Sequence, residues 1–498
     1  MSAVMVGVDI GTTSTKAVVF TLDGKPVSQH TVEYPLLRPE PDAAEQDPRQ
    51  ILDAVKTALK LAVTHSPVTC DDVACVSFSA AMHSLIALDA NGEPLTASIT
   101  WADNRAAAQA ARLKASPDGL DVYRRTGTPI HPMSPLAKLL WLRESKPALW
   151  QAATRFAGIK EFVIERLFGV SVVDHSIASA TGLFNLQQRD WDDGALALTG
   201  LRREQLPAPV PTGHRLPALP CAAELGLPPD TPFVIGANDG VLSNLGVGAI
   251  GPGQLAVTIG TSGAMRAVVD RPLTDPEGRT FCYALTEKLW VVGGPVNNGG
   301  IVLGWIRDVL LAGEDADAAL KLAESVPPGA GGLLFHPYLA GERAPFWNAD
   351  LRASWFGLHL GHRKEHMVRA ALEGVMFNLR GLLPVVEALV GSDCTIRATG
   401  GFARSPLWRQ MMADVFEREL VVPESVESSC LGAAVLGLHA LGRIESLDAV
   451  NAMIGATQQH KPIEANAAAY RRLTPIFDAL PRQLEQQYSQ LAELQRRF

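Results

Sequence analysis

Two short segments of this 498-residue chain carry nearly the same pattern of apolar run, turn and apolar run. The first covers residues 6–20, and the second covers residues 256–269, about halfway along the chain. In each, the turn begins with Gly-Thr and is rich in small hydroxyl residues. Short β-branched runs on either side of such a turn predict a hairpin. The repeat therefore predicts two related domains, each built around one copy.

The two copies differ in one chemically important position. Asp9 precedes the first turn, whereas Thr258 stands at the matching position before the second turn, 260–263. Backbone N–H groups and hydroxyls in such turns can hold phosphate oxygens without a lysine. A buried carboxylate is costly unless it is paired or lies near a metal ion such as Mg²⁺. The pair of turns favours a magnesium–nucleotide ligand; the alternatives are a capped hairpin at Asp9 and a plain tight turn at 260–263.

Length and composition limit the classes of protein. A chain of 498 residues is too long for one core, which predicts two domains. The net charge of −8 argues against nucleic acid as the main partner. The six cysteines form no CxxC pair, and the first residues lack a signal-peptide pattern, so we expect reduced thiols and a cytoplasmic location. Residues 240–265 are uncharged but contain seven glycines and one proline, which indicates a buried core segment and not a membrane span.

The order of predicted elements is similar in the two halves. Each half begins with a β-meander and continues into helices, and residues 207–233, with eight prolines, are predicted to connect them. Asp47 and Pro48 are a typical N-cap and first helical residue. The predicted meander strands of the first half are 4–9, 16–20 and 27–32. The predicted helices are 47–63, 102–113, 135–144, 160–168, 300–311, 365–389 with a kink at Pro384, 406–417, 431–441 and one charged helix after residue 469.

Three further positions carry candidate chemistry. Asp239 follows the predicted strand 233–235, where its carboxylate could accept a proton from a hydroxyl nucleophile; the alternative is an ordinary helix N-cap. Gly400 and Gly401 join a strand to a helix, where backbone without side chains can lie against an adenine ring; the alternative is a junction without ligand. Residues 432–434 begin a small-residue helix face, which allows close packing on a nucleotide wall or on another helix.

Two motif matches are rejected, and a third motif is absent. Residues 246–251 fit GxGxxG, but Pro252 prevents the helix that a dinucleotide site needs there. Residues 362–366 fit the inverted zinc-protease pattern HxxEH, but a charged helix start explains them better. The chain contains no GxxxxGK[ST] sequence, so it is not a P-loop enzyme.

Specific signatures give the chain a family resemblance. Residues 133–142 match the first signature of the FGGY carbohydrate kinases, with Ser145 as a mild departure at its final polar position. Residues 353–373 fit the second signature, and 341–345 form another loop similar to the family's. The resemblance runs over about residues 4–450. It places the chain in the superfamily of actin and hexokinase.

The resemblance implies an α/β fold with two ribonuclease-H-like domains flanking a central cleft. The implied division is an N-terminal domain, 1–243, a C-terminal domain, 244–460, and a helical tail, 461–498. ATP and Mg²⁺ are the implied cofactors, with Asp9 near the metal and Asp239 as general base. The implied nucleotide-binding residues are Gly11, Thr12, Thr13, Ser14, Lys16, Gly260, Thr261, Ser262, Gly300, Gly400, Gly401 and Arg404.

Three segments, 79–84, 99–105 and 126–133, lie where the family contacts its sugar, and they are most similar to the members that phosphorylate gluconate. Xylulose-phosphorylating members have a Gly where Ser84 stands here. An aldonate carboxylate needs cations or several donors, and Lys160 is a further candidate. The implied substrate-binding residues are Met82, His83, Trp101, Asp103, Arg105, His131 and Asp239.

Two alternatives to a gluconate kinase stay open at this point. The first is a xylulose kinase, and the second is a catalytically silent sugar-binding protein of the same fold. The expected partner is a small sugar or sugar acid, with neither nucleic acid nor membrane. The oligomeric state also stays open, with a homodimer among the alternatives.

Overall fold

The computed structural model describes residues 3–67, 72–424, 427–455 and 457–496. These residues form two compact units, neither of them continuous along the chain. The first unit contains the described residues up to 250 together with 268–292 and 427–455, and the second contains 251–267 and the remaining described residues. The units are defined by contacts and not by chain order, so the domain boundaries at 243 and 460 stay a prediction.

Seventeen α-helices lie within the described residues. They are α1 (Pro48–Thr64), α2 (Ala107–Ala115), α3 (Pro117–Thr126), α4 (Pro135–Ser145), α5 (Pro147–Ala152), α6 (Ile159–Phe168), α7 (His175–Ser179), α8 (Asp193–Thr199), α9 (Asp239–Gly246), α10 (Ile301–Leu310), α11 (Ala316–Glu324), α12 (Lys364–Arg380), α13 (Leu383–Val390), α14 (Pro406–Phe416), α15 (Ser428–Ala440), α16 (Glu464–Gln483) and α17 (Glu485–Gln495).

The same residues contain twenty-two β-strands, several of them only two or three residues long. They are β1 (Val4–Ile10), β2 (Ser14–Thr21), β3 (Pro26–Glu33), β4 (Glu45–Gln46), β5 (Val73–Ala80), β6 (Ile86–Leu88), β7 (Ser98–Ile99), β8 (Arg155–Ala157), β9 (Val172–Asp174), β10 (Phe184–Asn185), β11 (Asp190–Trp191), β12 (Ala208–Val210), β13 (Phe233–Asn238), β14 (Gln254–Ile259), β15 (Gly263–Val269), β16 (Phe281–Ala284), β17 (Trp290–Val296), β18 (Leu334–His336), β19 (Ser354–Phe356), β20 (Thr395–Thr399), β21 (Leu420–Pro423) and β22 (Thr457–His460).

The main sheet of the first unit has the strand order β13-β5-β1-β2-β3. Strands β1, β2 and β3 form the predicted antiparallel meander, whereas β5 and β13 run parallel to β1. The fully buried patterns of β5 and β13 fit central parallel strands, which are covered on both faces. The carboxyl ends of β1, β5 and β13 consequently lie at one edge of the sheet.

The second unit repeats this arrangement. Strand β14 pairs antiparallel with β15 and parallel with β20, and β20 pairs parallel with β21. The order β15-β14-β20-β21 therefore corresponds to β2-β1-β5-β13 in the first unit. This correspondence confirms the predicted repeat, since each copy of the Gly-Thr turn joins the first two strands of its own unit.

Most predicted helices are confirmed to within a few residues, and local chemistry explains their ends. The Asp47 side chain accepts a hydrogen bond from the Arg49 N–H at 2.8 Å, so α1 has the predicted cap. The predicted long helix 365–389 is instead two helices, α12 and α13. Pro384 lies in the first turn of α13, because its ring fits a helix start but not a helix interior.

Two helix predictions were wrong. The helix expected at 102–113 begins only at Ala107, because Asp103 bonds the backbone N–H groups of Ala44 and Arg105 and so holds its own segment as a loop. The single charged helix expected after residue 469 is the pair α16 and α17, which meet at Leu484. No helix among the described residues combines the length and apolarity that crossing a bilayer requires.

Helices α9 and α15 pack with their backbones almost in contact. A Cβ atom added at Gly432 would lie 2.0 Å from the carbonyl oxygen of Leu242, and one added at Gly246 would lie 1.8 Å from that of Ser428. Both clashes are with backbone, which cannot move aside as a flexible side chain does. The small-residue face predicted at 432–434 therefore packs on another helix, the second of its two alternatives.

Replacing Gly432 by Ala is expected to destabilise the protein by about 1–3 kcal/mol, because the added methyl group forces α9 and α15 apart. The change in the urea midpoint of unfolding measures this effect. The matched control is Gly304→Ala in α10, where an added Cβ meets no atom within 4 Å. That control should gain about 0.4–1 kcal/mol from its more restricted unfolded chain. Equal effects of the two substitutions would contradict the close packing.

Candidate active site

Three polar residues meet at the carboxyl edge of the parallel strands in the first unit. Asp9 on β1 is in register with Ser79 on β5, and Ser79 is in register with Ala237 on β13. Asp239 follows two residues after Ala237. Open α/β sheets bind ligands at this edge of their strands. The sheet therefore brings the predicted metal residue and the predicted general base to the same edge.

Asp9 is held by a hydroxyl group and lies near a cation. The Ser79 Oγ donates to Asp9 Oδ1 at 2.6 Å. Burial raises the pKa of the Asp9 carboxyl, and the Ser79 hydrogen bond and the charge of Lys16 oppose that rise. Lys16 itself pairs with Glu427 at 2.9 Å, so its amine is partly neutralised. A desolvated carboxylate in this setting is suited to a cation.

The first Gly-Thr turn is fixed by its neighbours on both sides. The Gly11 N–H donates to the Ser14 carbonyl at 2.9 Å, which closes the turn. The Trp101 indole N–H donates to Thr12 Oγ1 at 2.9 Å, and the Gln46 side-chain amide donates to the Thr12 carbonyl. Thr13 is exposed at the tip of the turn. The turn is therefore preorganised, and it is directly bonded to the segment that carries Trp101.

Asp9 and the adjacent hydroxyls fit a lightly held Mg²⁺ ion. Among the described residues, no group of three or more His, Cys, Asp or Glu side chains could hold a metal. Mg²⁺ does not need such a cage, since proteins often bind it through one or two carboxylates and let water and substrate phosphates complete its shell. The donor set of Asp9 and the turn 11–14 agrees with that chemistry.

Asp239 is the first residue of α9, and Asn238 is the N-cap of that helix. The Asn238 side chain accepts a hydrogen bond from the Val241 N–H at 2.9 Å, and its amide donates to Ser176 Oγ at 2.8 Å. The alternative of Asp239 as an N-cap is therefore wrong. Its half-buried carboxylate lies at the N-terminus of a helix, where negative charge is stabilised.

The buried Lys160 amine is bound to two protein groups. The amine lies 2.8 Å from Asp174 and donates to the Ala237 carbonyl at 3.2 Å, and the side chain is 1% exposed. Asp174 in turn caps α7 through the Ile177 N–H. The ion pair connects α6 with the end of β9, and the hydrogen bond to Ala237 connects α6 with β13. The suggestion that Lys160 binds a substrate carboxylate is therefore not supported by its surroundings.

His83 has an unusual backbone and two side-chain contacts. Its φ of +70° is in the left-handed region, which residues other than Gly seldom adopt. Its Nδ1 lies 2.7 Å from the Ala180 carbonyl, and its Nε2 lies 3.3 Å from the Tyr283 hydroxyl. Met82, beside it, is partly buried. Such backbone conformations persist where the surrounding structure imposes them, often at functional sites.

Asp103 and Arg105 bind each other and neighbouring groups. The Arg105 guanidinium lies 2.7 Å from Asp103 and 2.5 Å from Glu45, and it covers the Trp141 ring of α4. Asp103 is 1% exposed. His131 is also buried, and its Nδ1 accepts a hydrogen bond from the Met133 N–H at 3.2 Å. These three predicted substrate residues lie in the expected unit and organise its loops.

Three glycine-rich segments meet in the second unit. The Gly300 N–H donates to the Gly260 carbonyl at 2.7 Å, and the Gly299 N–H donates to the Thr261 carbonyl at 3.2 Å. Gly400 has a φ of +102°, and a Cβ there would lie 2.3 Å from the Ile259 carbonyl. Residues 260–262, 299–300 and 400 are thus neighbours at the carboxyl edge of β14 and β20.

The remaining predicted nucleotide residues are exposed beside this cluster. Gly401 and Arg404 belong to a 3₁₀ turn that leads into α14. The Ser405 side chain caps α14 and Pro406 begins it, as predicted. Ser262 is partly exposed, and Thr261 is exposed. Their exposed backbone and side chains leave this edge of the second unit accessible to a ligand.

Sequence reasoning missed two groups that order the site. Tyr283 contacts His83 across 200 positions of sequence, and no local pattern indicates that pairing. Glu342 accepts hydrogen bonds from the side chains of Asn298 and Asn378 at 3.0 and 2.7 Å, which fixes the segment before Gly299. The only available signal for Glu342 was its position in the family-like loop 341–345.

The two rejected motif matches have structural roles. His366 accepts a hydrogen bond from the Arg363 N–H at the start of α12, which confirms the reading of 362–366 as a helix start. Residues 246–251 cover the end of α9 and the turn after it, with no helix beginning at Pro252. Among the described residues, Cys75, Cys221, Cys282, Cys394 and Cys430 are free thiols, and Cys70 lies outside them.

Glu161 lines a cavity beside the His83 segment in the first unit. Its Oε2 accepts a hydrogen bond from the Gly158 N–H at 2.6 Å, whereas its buried Oε1 has no hydrogen-bond partner. Burial raises the pKa of the Glu161 carboxyl from 4.5 to about 7, and the Asp174 charge adds to that rise. The other walls are mainly apolar, including Leu139, Phe156 and Trp191.

The raised pKa of Glu161 predicts a pH-dependent stability. The folded protein holds this proton between pH 4.5 and about 7, where the unfolded chain has lost it, so stability falls as pH rises through that interval. Glu161→Gln removes the loss, which amounts to about 3 kcal/mol for such a shift. Unfolding at pH 4 and pH 8 measures the difference, with exposed Glu224→Gln as control. If the free energies of unfolding of variant and wild type differed by the same amount at both pH values, the raised pKa of Glu161 would be disproved.

Two family models together match most of the chain. The N-terminal domain of the FGGY family of carbohydrate kinases matches residues 4–246, and the C-terminal domain matches residues 255–441. This chain belongs to the FGGY family of carbohydrate kinases. The resemblance inferred from the signatures is thereby confirmed, and so is the α/β fold class with two related domains.

Curated relatives of this FGGY kinase match it over its whole length. Gluconokinase of Bacillus subtilis (strain 168) is 53% identical over 512 aligned residues, which cover 100% of this chain and 99% of that protein. Gluconokinase of Bacillus licheniformis is 52% identical with the same coverage. Xylulose kinase of Escherichia coli (strain K12) is 31% identical, covering 96% of this chain and 99% of that protein.

Solved structures of a gluconate kinase and of a xylulose kinase match the fold of this FGGY kinase equally well. A crystal structure of gluconate kinase from Lactobacillus acidophilus has a TM-score of 0.94 at 37% identity, covering 99% of this chain and 100% of that one. A ligand-bound xylulose kinase from the same organism has a TM-score of 0.94 at 37% identity, covering 98% and 100%. The fold alone therefore does not separate the two substrates.

Proposed function

We propose that this protein is an ATP-dependent kinase that converts D-gluconate to 6-phospho-D-gluconate. The observation that supports gluconate as the substrate is the 53% identity to a gluconokinase along the whole chain. The identity to a xylulose kinase of similar coverage is 31%. The segments 79–84, 99–105 and 126–133 support the same choice. A cytoplasmic location is part of the proposal.

In this proposal, Asp239 is the general base. Its carboxylate accepts the proton of the terminal substrate hydroxyl, whose oxygen attacks the γ-phosphorus in line. Phosphoryl transfer needs positioning and charge stabilisation more than covalent chemistry, so one base is sufficient. Asn238 caps α9 and donates a hydrogen bond to Ser176. These contacts hold the start of α9, where Asp239 lies, and so support its role as the base.

The two Gly-Thr turns are proposed to hold the nucleotide phosphates. Gly11, Ser14 and Lys16 belong to the first turn and its following strand, and 260–262 with Gly300 form the second. Asp9 would hold Mg²⁺, which, when bound, neutralises charge on the phosphates. Residues 400, 401 and 404 are proposed to lie against the adenosine. Backbone N–H groups in these turns would donate to phosphate oxygens and so stabilise the negative charge that develops on them in the transition state.

The substrate is proposed to meet the His83 and Trp101 segments. The indole of Trp101 and the side chain of Met82 offer apolar surface to the polyol chain. Arg105 is already bound to Asp103 and Glu45, so we assign it to the order of its loop and not to the substrate carboxylate.

D-Xylulose is the alternative substrate. A matching structure of a xylulose kinase has the same TM-score as that of a gluconate kinase, so the fold does not distinguish this alternative from gluconate. The alternative of a catalytically silent sugar-binding protein has less support, since the proposed metal residue Asp9 and the proposed base Asp239 are both present at the sheet edge.

A coupled ADP-release assay tests the proposal. Purified protein is given ATP, Mg²⁺ and, one at a time, D-gluconate, D-xylulose, L-ribulose and glycerol. We expect turnover on gluconate far above that on the other three, with a phosphorylated product confirmed by mass. Preference for xylulose would retain the mechanism and reject the substrate. The absence of turnover on all four would reject gluconate kinase activity.

A further inference from the structure

Lys138 is a buried amine that binds three backbone carbonyl groups. It lies in the first turn of α4 and is fully buried. Its Nζ donates to the carbonyls of His83 at 2.5 Å, Thr100 at 2.7 Å and Ile99 at 3.3 Å. An ammonium group has three N–H donors, so these three acceptors satisfy all of them. Burying such a group is costly, and its neighbours here compensate for that cost.

The three carbonyls belong to the two segments that lead to the proposed substrate contacts. Leu85 and Ile99 exchange backbone hydrogen bonds at 3.0 and 2.9 Å, which pairs the segments at one point. Beyond that pair, the two segments continue through His83 and Thr100 to Met82 and Trp101. Lys138 binds both segments there. Its removal leaves the Leu85–Ile99 pair and the hydrogen bonds of Thr100 to the Ala44 carbonyl at 2.9 Å, but it removes the amine that joins the two segments.

The first segment needs this support because of its backbone. His83 holds a φ of +70°, a conformation that costs energy for a residue with a side chain. The Lys138 hydrogen bond to the His83 carbonyl favours that conformation directly. The contacts of the His83 ring with Ala180 and Tyr283 then fix the side chain.

The second segment continues to the phosphate turn. Trp101 directly follows Thr100, whose carbonyl Lys138 binds, and its indole donates to Thr12 Oγ1 at 2.9 Å. A shift of the Thr100 backbone would therefore move both the Trp101 ring and its bond to the turn. One amine thus orders groups from both proposed substrate segments.

We infer that Lys138 is a positioning residue for the acceptor substrate: its amine holds the His83 and Trp101 segments in the geometry that binds the sugar acid. It touches neither substrate nor nucleotide in this role. The inference rests on the proposed function for its kinetic consequence, whereas its structural consequence, the order of the two segments, can be measured without any activity.

The charge on Lys138 changes near neutral pH. Burial lowers the pKa of its amine to about 7; the Asp103 carboxylate raises that pKa and the Arg105 guanidinium lowers it. Asp103 and Arg105 are the charged groups of the 99–105 segment, and His83 is the titratable group of the other segment. An opening that exposes the amine to water restores its ordinary pKa of 10.5, so the open state takes up a proton between about pH 7 and 10.5. That opening therefore becomes less favourable as pH rises above about 7.

Lys138→Met tests the inference, because Met keeps most of the length of the side chain and removes the three donors. We expect the KM for D-gluconate to rise about 10- to 100-fold. The KM for ATP should rise much less, because the phosphate turn is touched only through the Trp101–Thr12 bond. Hydrogen exchange should become faster in peptides covering 81–85 and 98–104 and stay unchanged in the strands β1 and β5. Lys146→Met, an exposed lysine at the end of the same helix, is the matched control and should behave as wild type.

A second measurement needs no variant. In the wild-type protein, exchange in the same two peptides, corrected for its intrinsic pH dependence, should decrease as pH is raised above about 7. Unchanged exchange in both experiments, or equal rises in the two KM values, would overturn the inference. If the wild-type protein does not phosphorylate gluconate, the proposed function fails, and the exchange result alone decides the role of Lys138.

Discussion

Asp239→Ala should lower kcat about 10²- to 10⁴-fold, the usual loss when a general base is removed. The substitution leaves the Asn238 cap of α9 in place, so the fold and the phosphate turns should be unaffected. Affinity for ATP should therefore remain. Steady-state kinetics with gluconate and calorimetric titration with ATP measure the two properties separately.

The control for Asp239→Ala is Asp230→Ala, which removes an exposed carboxylate from the loop before β13. Its kcat should equal that of the wild type. Turnover of Asp239→Ala at the wild-type rate would rule out the assignment of the base. A loss of ATP affinity in parallel with kcat would point instead to a role of Asp239 in holding the nucleotide.

Lys160→Met should destabilise the protein by about 3–5 kcal/mol, because it leaves the Asp174 carboxylate buried without its partner. The two side chains are 1% and 0% exposed, so water cannot replace the lost contact. The midpoint of urea unfolding measures the loss. The additional substitution Asp174→Asn removes the unpaired charge and keeps an acceptor for the Ile177 N–H, so it should restore part of the stability.

This experiment also separates two roles for Lys160. A lysine that binds the substrate carboxylate would raise the KM for gluconate when replaced, with little change in stability. A buried structural lysine gives the opposite result. Lys60→Met, on the exposed side of α1, is the control for loss of a lysine and should leave the unfolding midpoint unchanged.

The largest part of the fold was predictable because it depends on local patterns. The two copies of apolar run and Gly-Thr turn predicted two hairpins, since β-branched residues and small turn residues favour that structure whatever their neighbours. The cap at Asp47 and the start of α14 at Pro406 were equally local. The signatures at 133–142 and 353–373 identified the family.

One of the two wrong helix predictions had a tertiary cause. The 102–106 segment has residues that suit a helix, but the Asp103 side chain bonds the distant Ala44 backbone, and this contact outweighs local propensity. The tail after residue 469 divides into two helices at Leu484, a division that its pattern of charges did not indicate.

The sequence by itself determined the family, the repeated hairpins, the candidate metal residue Asp9 and the candidate base Asp239, because these follow from residue type and spacing along the chain. Only the tertiary structure decided which positively charged side chains are already paired with other protein groups. Lys160, Arg105 and Lys138 are alike in a sequence as positive side chains. Lys160 is buried against Asp174, Arg105 is paired with Asp103 and Glu45, and Lys138 is buried against three carbonyls. These partners give the three side chains separate roles, because a buried charge is costly unless it is paired.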